Sequence, residues 1–146
     1  MIKPIKLANK DFLSSFDINT KEINHILDLA LDFKQNGSNF ELKNKVLGLI
    51  FDKSSTRTRV SFQVAMSRLG GTTIDLNPTT SQIGRGEPIR DTARVLSKYF
   101  DVLAIRTFDQ ADLEEYAKWS TKPIINALTD QEHPCQALAD FLTIKE

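Results

Sequence analysis

The densest concentration of ligand-binding chemistry in the chain is the run Lys53-Ser54-Ser55-Thr56-Arg57-Thr58-Arg59. It lies where a continuous apolar stretch, Val46-Leu47-Gly48-Leu49-Ile50-Phe51, gives way to a helical pattern. A helix starting here leaves its first backbone N–H groups without intrahelical partners and carries about half a positive charge at that end. A bound anion gains about 0.3–2 kcal/mol from this. The hydroxyls of Ser55, Thr56 and Thr58 add directed hydrogen bonds. Arg57, in the opening turn, can grip two phosphate oxygens through its planar fork, an interaction of about 1.5–3 kcal/mol that a lysine reproduces poorly. The alternative is that the hydroxyls only cap the helix while both arginines are solvated. The chemistry favours Arg57 as the anion ligand; Arg59, two residues on and on another face, reads as structural.

A second cluster is His133-Pro134-Cys135-Gln136. Pro134 suits the first turn of a helix because it has no N–H to lose, and His133 and Gln136, three apart, are neighbours on one helix face. Taken alone, such a histidine is more commonly a cap or a surface group than a catalytic one. The other histidine, His25, sits within a helical pattern among ordinary residues and reads as structural or solvated. Cys135 is the sole cysteine. That excludes an intrachain disulfide and a multi-cysteine zinc site and suits a reducing compartment, with cytoplasm as the expectation. The thiol reads as a small filler and not as a nucleophile.

The elements that must position these groups follow from periodicity. Asn19 and Glu22 have the spacing of a capping box, and Ile23, Ile26, Leu27, Ala30, Leu31 and Phe33 recur at helical intervals until Asn36-Gly37. Residues 46–51 are apolar on both faces and too short for a typical helix, which fits a central parallel strand. Residues 57–69 read as a helix ended by Gly70-Gly71, and 72–76 as a strand. The unit repeats. Pro88 opens a helix to Tyr99, residues 102–105 form a strand, Asp109 caps a helix over 111–119, residues 123–128 form a fourth strand, and Pro134 opens the last helix. The expectation is a single α/β domain: a doubly wound, mostly parallel four-stranded sheet with helices on both faces. Such folds place ligands beyond the carboxyl ends of the strands, where the strand order switches. Residues 77–87 form a long polar loop with Gly84 and Gly86, a length more often functional than idle.

The 146 residues suffice for one real core. Lys plus Arg and Asp plus Glu both count 19, so no bulk field favours nucleic acid or an acidic membrane, and any anion site must be local. Met1-Ile2-Lys3-Pro4 opens no apolar run of signal-peptide length, and no uncharged apolar stretch reaches about 18 residues. A soluble, unexported chain is expected. A nucleotide-binding domain is disfavoured, since neither Gly-x-Gly-x-x-Gly after a strand nor a Gly-Lys-Ser/Thr P-loop is present.

Ser55-Thr56-Arg57-Thr58-Arg59 after a hydrophobic strand resembles the phosphate-binding signature of the aspartate and ornithine carbamoyltransferases. Aspartate enzymes typically read Glu-Pro ahead of this signature, whereas Asp52-Lys53-Ser54 is similar to the ornithine branch. Ser81-Gln82-Ile83-Gly84, Asp91-Thr92-Ala93-Arg94-Val95-Leu96 and His133-Pro134-Cys135-Gln136 resemble that branch too, in order and over essentially the whole chain. The resemblance implies that Ser55, Thr56, Arg57 and Thr58 bind the phosphate of carbamoyl phosphate. It implies that Arg106, at the end of the third strand, touches phosphate and the carbamoyl oxygen; the plainer reading of Arg106 is a salt bridge to an acid such as Asp109. His133 would donate to the carbamoyl oxygen and Gln136 would meet the carbamoyl nitrogen, with Pro134 and Cys135 completing that motif. Arg57, Arg106 and His133 would be the catalytic set. Gln82 would reach the adjacent subunit of a homotrimer, and Arg85 stands where many relatives carry a basic residue for phosphate; the plainer reading of this loop is a flexible polar connection.

By the same resemblance no metal or organic cofactor is required, and L-ornithine would bind to a second domain of similar size that is absent from this sequence, which stops at Lys145-Glu146. The chain is therefore expected to be the carbamoyl-phosphate-binding half of an arginine-biosynthetic transferase, binding without turnover. Rival readings are the corresponding half of an aspartate, putrescine or acetylornithine carbamoyltransferase, or a non-enzymatic phosphate-binding module.

Overall fold

The computed structural model describes residues 2–38, 40–77, 82 and 86–146. Its centre is β1 (Val46–Phe51), which pairs in parallel with β2 (Thr72–Leu76) on one side and β3 (Val102–Arg106) on the other. β4 (Ile124–Leu128) extends the sheet beyond β3, so the order is β2-β1-β3-β4 and every pairing of these strands is parallel. The expected doubly wound sheet is what forms.

Period-two alternation distributes each strand between two cores. Ile50, Leu103, Ile105 and Ile124 face α3 (Ile89–Leu96) and α4 (Gln110–Trp119), packing with Ala93, Leu113 and Tyr116. Leu47, Leu49, Phe51, Ala104 and Ala127 face the opposite way, against Met66 and Phe62 of α2 (Arg57–Arg68). On that second face α1 (Thr20–Asn36) and α5 (Pro134–Lys145) also pack together, and α5 lies on β4. Gly48 is required in β1: a Cβ there would lie 2.6 Å from Leu103 and 2.8 Å from Phe100 side-chain atoms, inside contact distance.

α1 begins with the capping box read from Asn19 and Glu22, and Gly37 ends it at φ 73°. α3 is shorter than the pattern to Tyr99 suggests. The Ser97 hydroxyl bonds back to the Ala93 carbonyl at 2.6 Å, and Lys98 and Tyr99 close three-residue turns onto Val95 and Leu96, so the helix tightens and stops. Two features escaped the periodicity: a 3₁₀ turn, Ser15–Asp17, and a parallel bridge from Phe12 to Ile125 that lays the N-terminal segment along β4. Among the described residues no helix is long and apolar enough to cross a membrane.

Candidate functional site

The strand order reverses direction between β1 and β3: the connection through α2 leads outward to β2, and the one through α4 leads outward to β4. The loops that leave β1 and β3 part company there, opening the crevice in which this architecture binds ligands. Arg106 is the last residue of β3 and pairs with Phe51, the last of β1. Its position follows the parity of Val102 and Ala104, so it belongs to the α2 face. Asp52 closes the approach by donating its N–H to the Arg106 carbonyl at 2.9 Å.

Two adjoining depressions occupy this end of the sheet. One, of about 260 Å³, is lined by Ser54, Ser55, Thr56, Arg57, Thr58 and Arg106. The other, of about 500 Å³, continues from Arg57, Thr58 and Arg106 to His133, Cys135 and Gln136. The fold thus brings together eight expected site residues that lie as far as 81 positions apart, Ser55 to Gln136 (136 minus 55). Pro134 is the buried first residue of α5 beneath them and lines neither depression. Gln82 is exposed and lines neither as well. Ser81, Ile83, Gly84 and Arg85 lie outside the described residues.

Thr56 stands at the start of α2 in helical conformation and makes no side-chain cap, and His133 makes none at the start of α5. Among the described residues Arg57 and Arg106 take part in no ion pair; Asp109 accepts the Ala111 N–H at 3.0 Å instead of meeting Arg106. Among the described residues the Nε of Arg106 and the Nδ1 of His133, and outside the cleft the Nε of Arg59, are buried with no hydrogen-bond partner, a condition rare in native structures. Arg59 is committed elsewhere, to Asp75 of β2 at 3.1 Å and to the Phe51 ring at 5.1 Å, in keeping with a structural role.

Burial holds the His133 imidazole below its ordinary 6.5, and the Arg106 charge pushes the same way against the weaker pull of Asp140. His133 is therefore neutral at pH 7 and has one N–H to give. Burial also pushes the Cys135 thiol up to about 11, so it is un-ionised, and its Sγ donates to the Asn126 carbonyl at 3.4 Å. Gln136 lines the cleft, is exposed, and donates from Nε2 to Asp140 at 2.9 Å along α5.

Several contributors were not singled out in the sequence. Ser61, Phe62 and Ala65 continue the cleft wall along α2 and Ala139 along α5. The signal was available, since they follow Arg57, Thr58 and Gln136 at helical spacing. Lys53 was read as part of the anion run, yet it ion-pairs with Asp130 and stands 4.5 Å above the Phe108 ring. It ties the loops after β1, β3 and β4 together, a long-range contact with no local signature. A further surface groove, lined by Arg90, Glu114, Lys118 and Trp119 among others, shares no residue with this site.

An arginine-lined pair of bare helix starts at the switch point of a parallel sheet defines an anion-binding α/β domain of the phosphate-handling kind. Residues 10–146 match the family model described as the carbamoyl-P binding domain of aspartate/ornithine carbamoyltransferase, and the chain belongs to that family. Over its whole length it is 80% identical to an ornithine carbamoyltransferase of Prochlorococcus marinus subsp. pastoris, of which it covers 47%. A solved ornithine carbamoyltransferase from Gloeobacter violaceus matches with TM-score 0.85 and 53% identity over 94% of this chain and 45% of that one. Aspartate transcarbamoylase from Trypanosoma cruzi, solved with aspartate and phosphate, superposes with TM-score 0.90 at 34% identity over 99% of this chain and 46% of that one. The chain spans about half the length of the relatives it matches.

Proposed function

We propose that this chain is the carbamoyl-phosphate-binding half of an ornithine carbamoyltransferase. The observation that carries the reading is the convergence of Arg57, Arg106, His133 and Gln136 on one cleft whose helix starts are left uncapped. Similarity to ornithine enzymes at up to 80% identity favours ornithine over aspartate as the acceptor.

In this reading the phosphate of carbamoyl phosphate rests on the start of α2, held by Ser55, Thr56, Thr58 and the fork of Arg57. Arg106 bridges phosphate and the carbamoyl oxygen, His133 donates to that oxygen, and Gln136 meets the carbamoyl nitrogen. The neutral δ-amine of ornithine attacks the carbonyl carbon. A C–N bond forms, the carbonyl π pair moves onto oxygen, and collapse of the tetrahedral intermediate breaks the C–O bond to phosphate. The amine proton leaves with the departing phosphate, and citrulline and phosphate result. His133 serves as a hydrogen-bond donor to the oxyanion and not as a base, which suits a ring kept neutral by burial. One well-placed oxyanion donor contributes about 10²- to 10³-fold in rate.

Ornithine binds, in this reading, in the other half of the enzyme, and Gln82 completes the site of a neighbouring subunit in a homotrimer. Cytoplasm is the working compartment. The 146-residue chain should then bind carbamoyl phosphate and make no citrulline from it and ornithine. Citrulline synthesis by this chain alone would contradict the division of labour.

A further inference from the structure

Between β4 and α5 the backbone does something unusual. β3 and β4 run in simple register as far as Ile105 and Asn126, but Arg106 then pairs with Leu128, so β4 carries an extra residue at Ala127. Leu128 itself sits at φ 144°, a region that side-chain-bearing residues rarely adopt. Bulges and strained residues of this kind persist only when their surroundings hold them, and they re-aim the chain. Five residues later the chain delivers His133.

What holds the strain is Asn126. It is fully buried, and both ends of its amide are engaged: Oδ1 accepts the Leu128 N–H at 2.8 Å, and Nδ2 donates to the Leu13 carbonyl at 2.8 Å. The backbone of Asn126 adds two further ties, donating to the Phe12 carbonyl at 2.8 Å and accepting from Cys135 Sγ. A second buried link fixes the next residue. The Thr129 hydroxyl donates to Gln110 Oε1 at 2.8 Å, at the foot of α4. The far side of the turn is tied to the same N-terminal segment, since Glu132 accepts the Ser15 N–H at 3.0 Å. The turn that aims His133 is thus clamped to residues 12–15, more than a hundred positions away in sequence.

We propose that Asn126, backed by Gln110 and Thr129, is a positioning residue for His133: it clamps the strained Leu128 backbone to the N-terminal segment and so directs His133 and Gln136 at the phosphate cradle. It touches no substrate. As a statement about ligand affinity this rests on the carbamoyl-phosphate reading above, but its effect on His133 does not.

The test uses the whole protein and two readouts: the imidazole NMR signals of His133 without ligand, and calorimetric titration with carbamoyl phosphate. Asn126→Ala should move the His133 signals and weaken binding by about tenfold, the effect of about one ordering hydrogen bond. Adding Leu128→Gly should recover most of both, because glycine adopts φ 144° without strain and the clamp is then dispensable. A merely structural asparagine would not be rescued by a glycine two residues away. Should Asn126→Ala fail to fold, Thr129→Val, which deletes only the hydroxyl, reads the same turn and should also shift the His133 signals. Wild-type His133 signals in the variant that folds, or an Asn126→Ala loss untouched by Leu128→Gly, overturn the proposal. Failure of the wild-type protein to bind carbamoyl phosphate would instead sink the functional reading, and the His133 signals would still decide the positioning role.

Discussion

Four helices start at the carboxyl end of the sheet, one after each strand, and they treat their first N–H groups differently. α4 follows β3 and is capped by Asp109, whose carboxylate accepts the Ala111 N–H. α2 follows β1, α3 follows β2, α5 follows β4, and none of these has a side-chain cap; of the three, α2 and α5 open on the cleft. An N-cap is worth about 1 kcal/mol, so α2 and α5 forgo a stabilisation that α4, at the same end of the same sheet, takes. In the proposed reading a carboxylate at either bare start would repel the bound anion. A missing cap alone does not mark a ligand site, since α3 lacks one and lines neither depression; α2 and α5 are set apart by opening on the same cleft.

Making α2 resemble α4 should break the site most severely. Thr56→Asp places a carboxylate beside the phosphate position; repulsion at about 4 Å in a surface dielectric is about 4 kcal/mol, so carbamoyl-phosphate binding should fall beyond calorimetric detection. The same change should raise thermal stability slightly, by about 0.5 kcal/mol, because an acid at a helix start is favourable. Opposite movement of affinity and stability is the signature to look for. Arg57→Ala comes next, with affinity down by about 2 kcal/mol, or about thirtyfold, and little change in melting temperature, since the side chain is exposed and has no ion-pair partner among the described residues.

Asp109→Ala is the reverse experiment. Stability should fall by about 1 kcal/mol in urea unfolding while carbamoyl-phosphate affinity stays at the wild-type value. The smallest effect concerns pH. Because burial lowers the His133 value in the folded chain, the unfolded chain takes up this proton first as pH falls through the ordinary 6.5, and stability drops on the acid side of that value. His133→Asn should flatten that part of the stability profile between pH 7.5 and 5, measured as the urea midpoint, while leaving it unchanged at pH 7.5 and above.

The sequence carried most of the sheet because three of its four strands announce themselves locally: 46–51, 102–105 and 123–128 are mostly apolar on both faces, as buried parallel strands are, while β2 is an exposed edge read from its β-branched residues and the Gly70-Gly71 before it. The strand-to-helix junction that carries Ser55 to Thr58 was equally legible, since those residues are contiguous and follow β1 directly. Arg106 and His133 are different. Nothing near either residue says that they share a cleft with Arg57; that follows from the strand order, and only resemblance to a family supplied it beforehand. The bulge at Ala127, the strained Leu128, the clamp from Asn126 to Leu13 and the tie of Lys53 to Asp130 were not legible at all. Each depends on segments brought side by side by the finished fold, and such contacts leave no periodic trace in either partner.

The central claim is that one end of this cleft reads phosphate and the other reads the carbamoyl group. Parallel calorimetric titrations of the wild-type chain with carbamoyl phosphate and with inorganic phosphate test it most directly. Carbamoyl phosphate should bind more tightly, by about tenfold or more, given that His133 and Gln136 add directed hydrogen bonds to a group that phosphate lacks. Equal affinity for the two anions would contradict the account and reduce the site to a phosphate cradle.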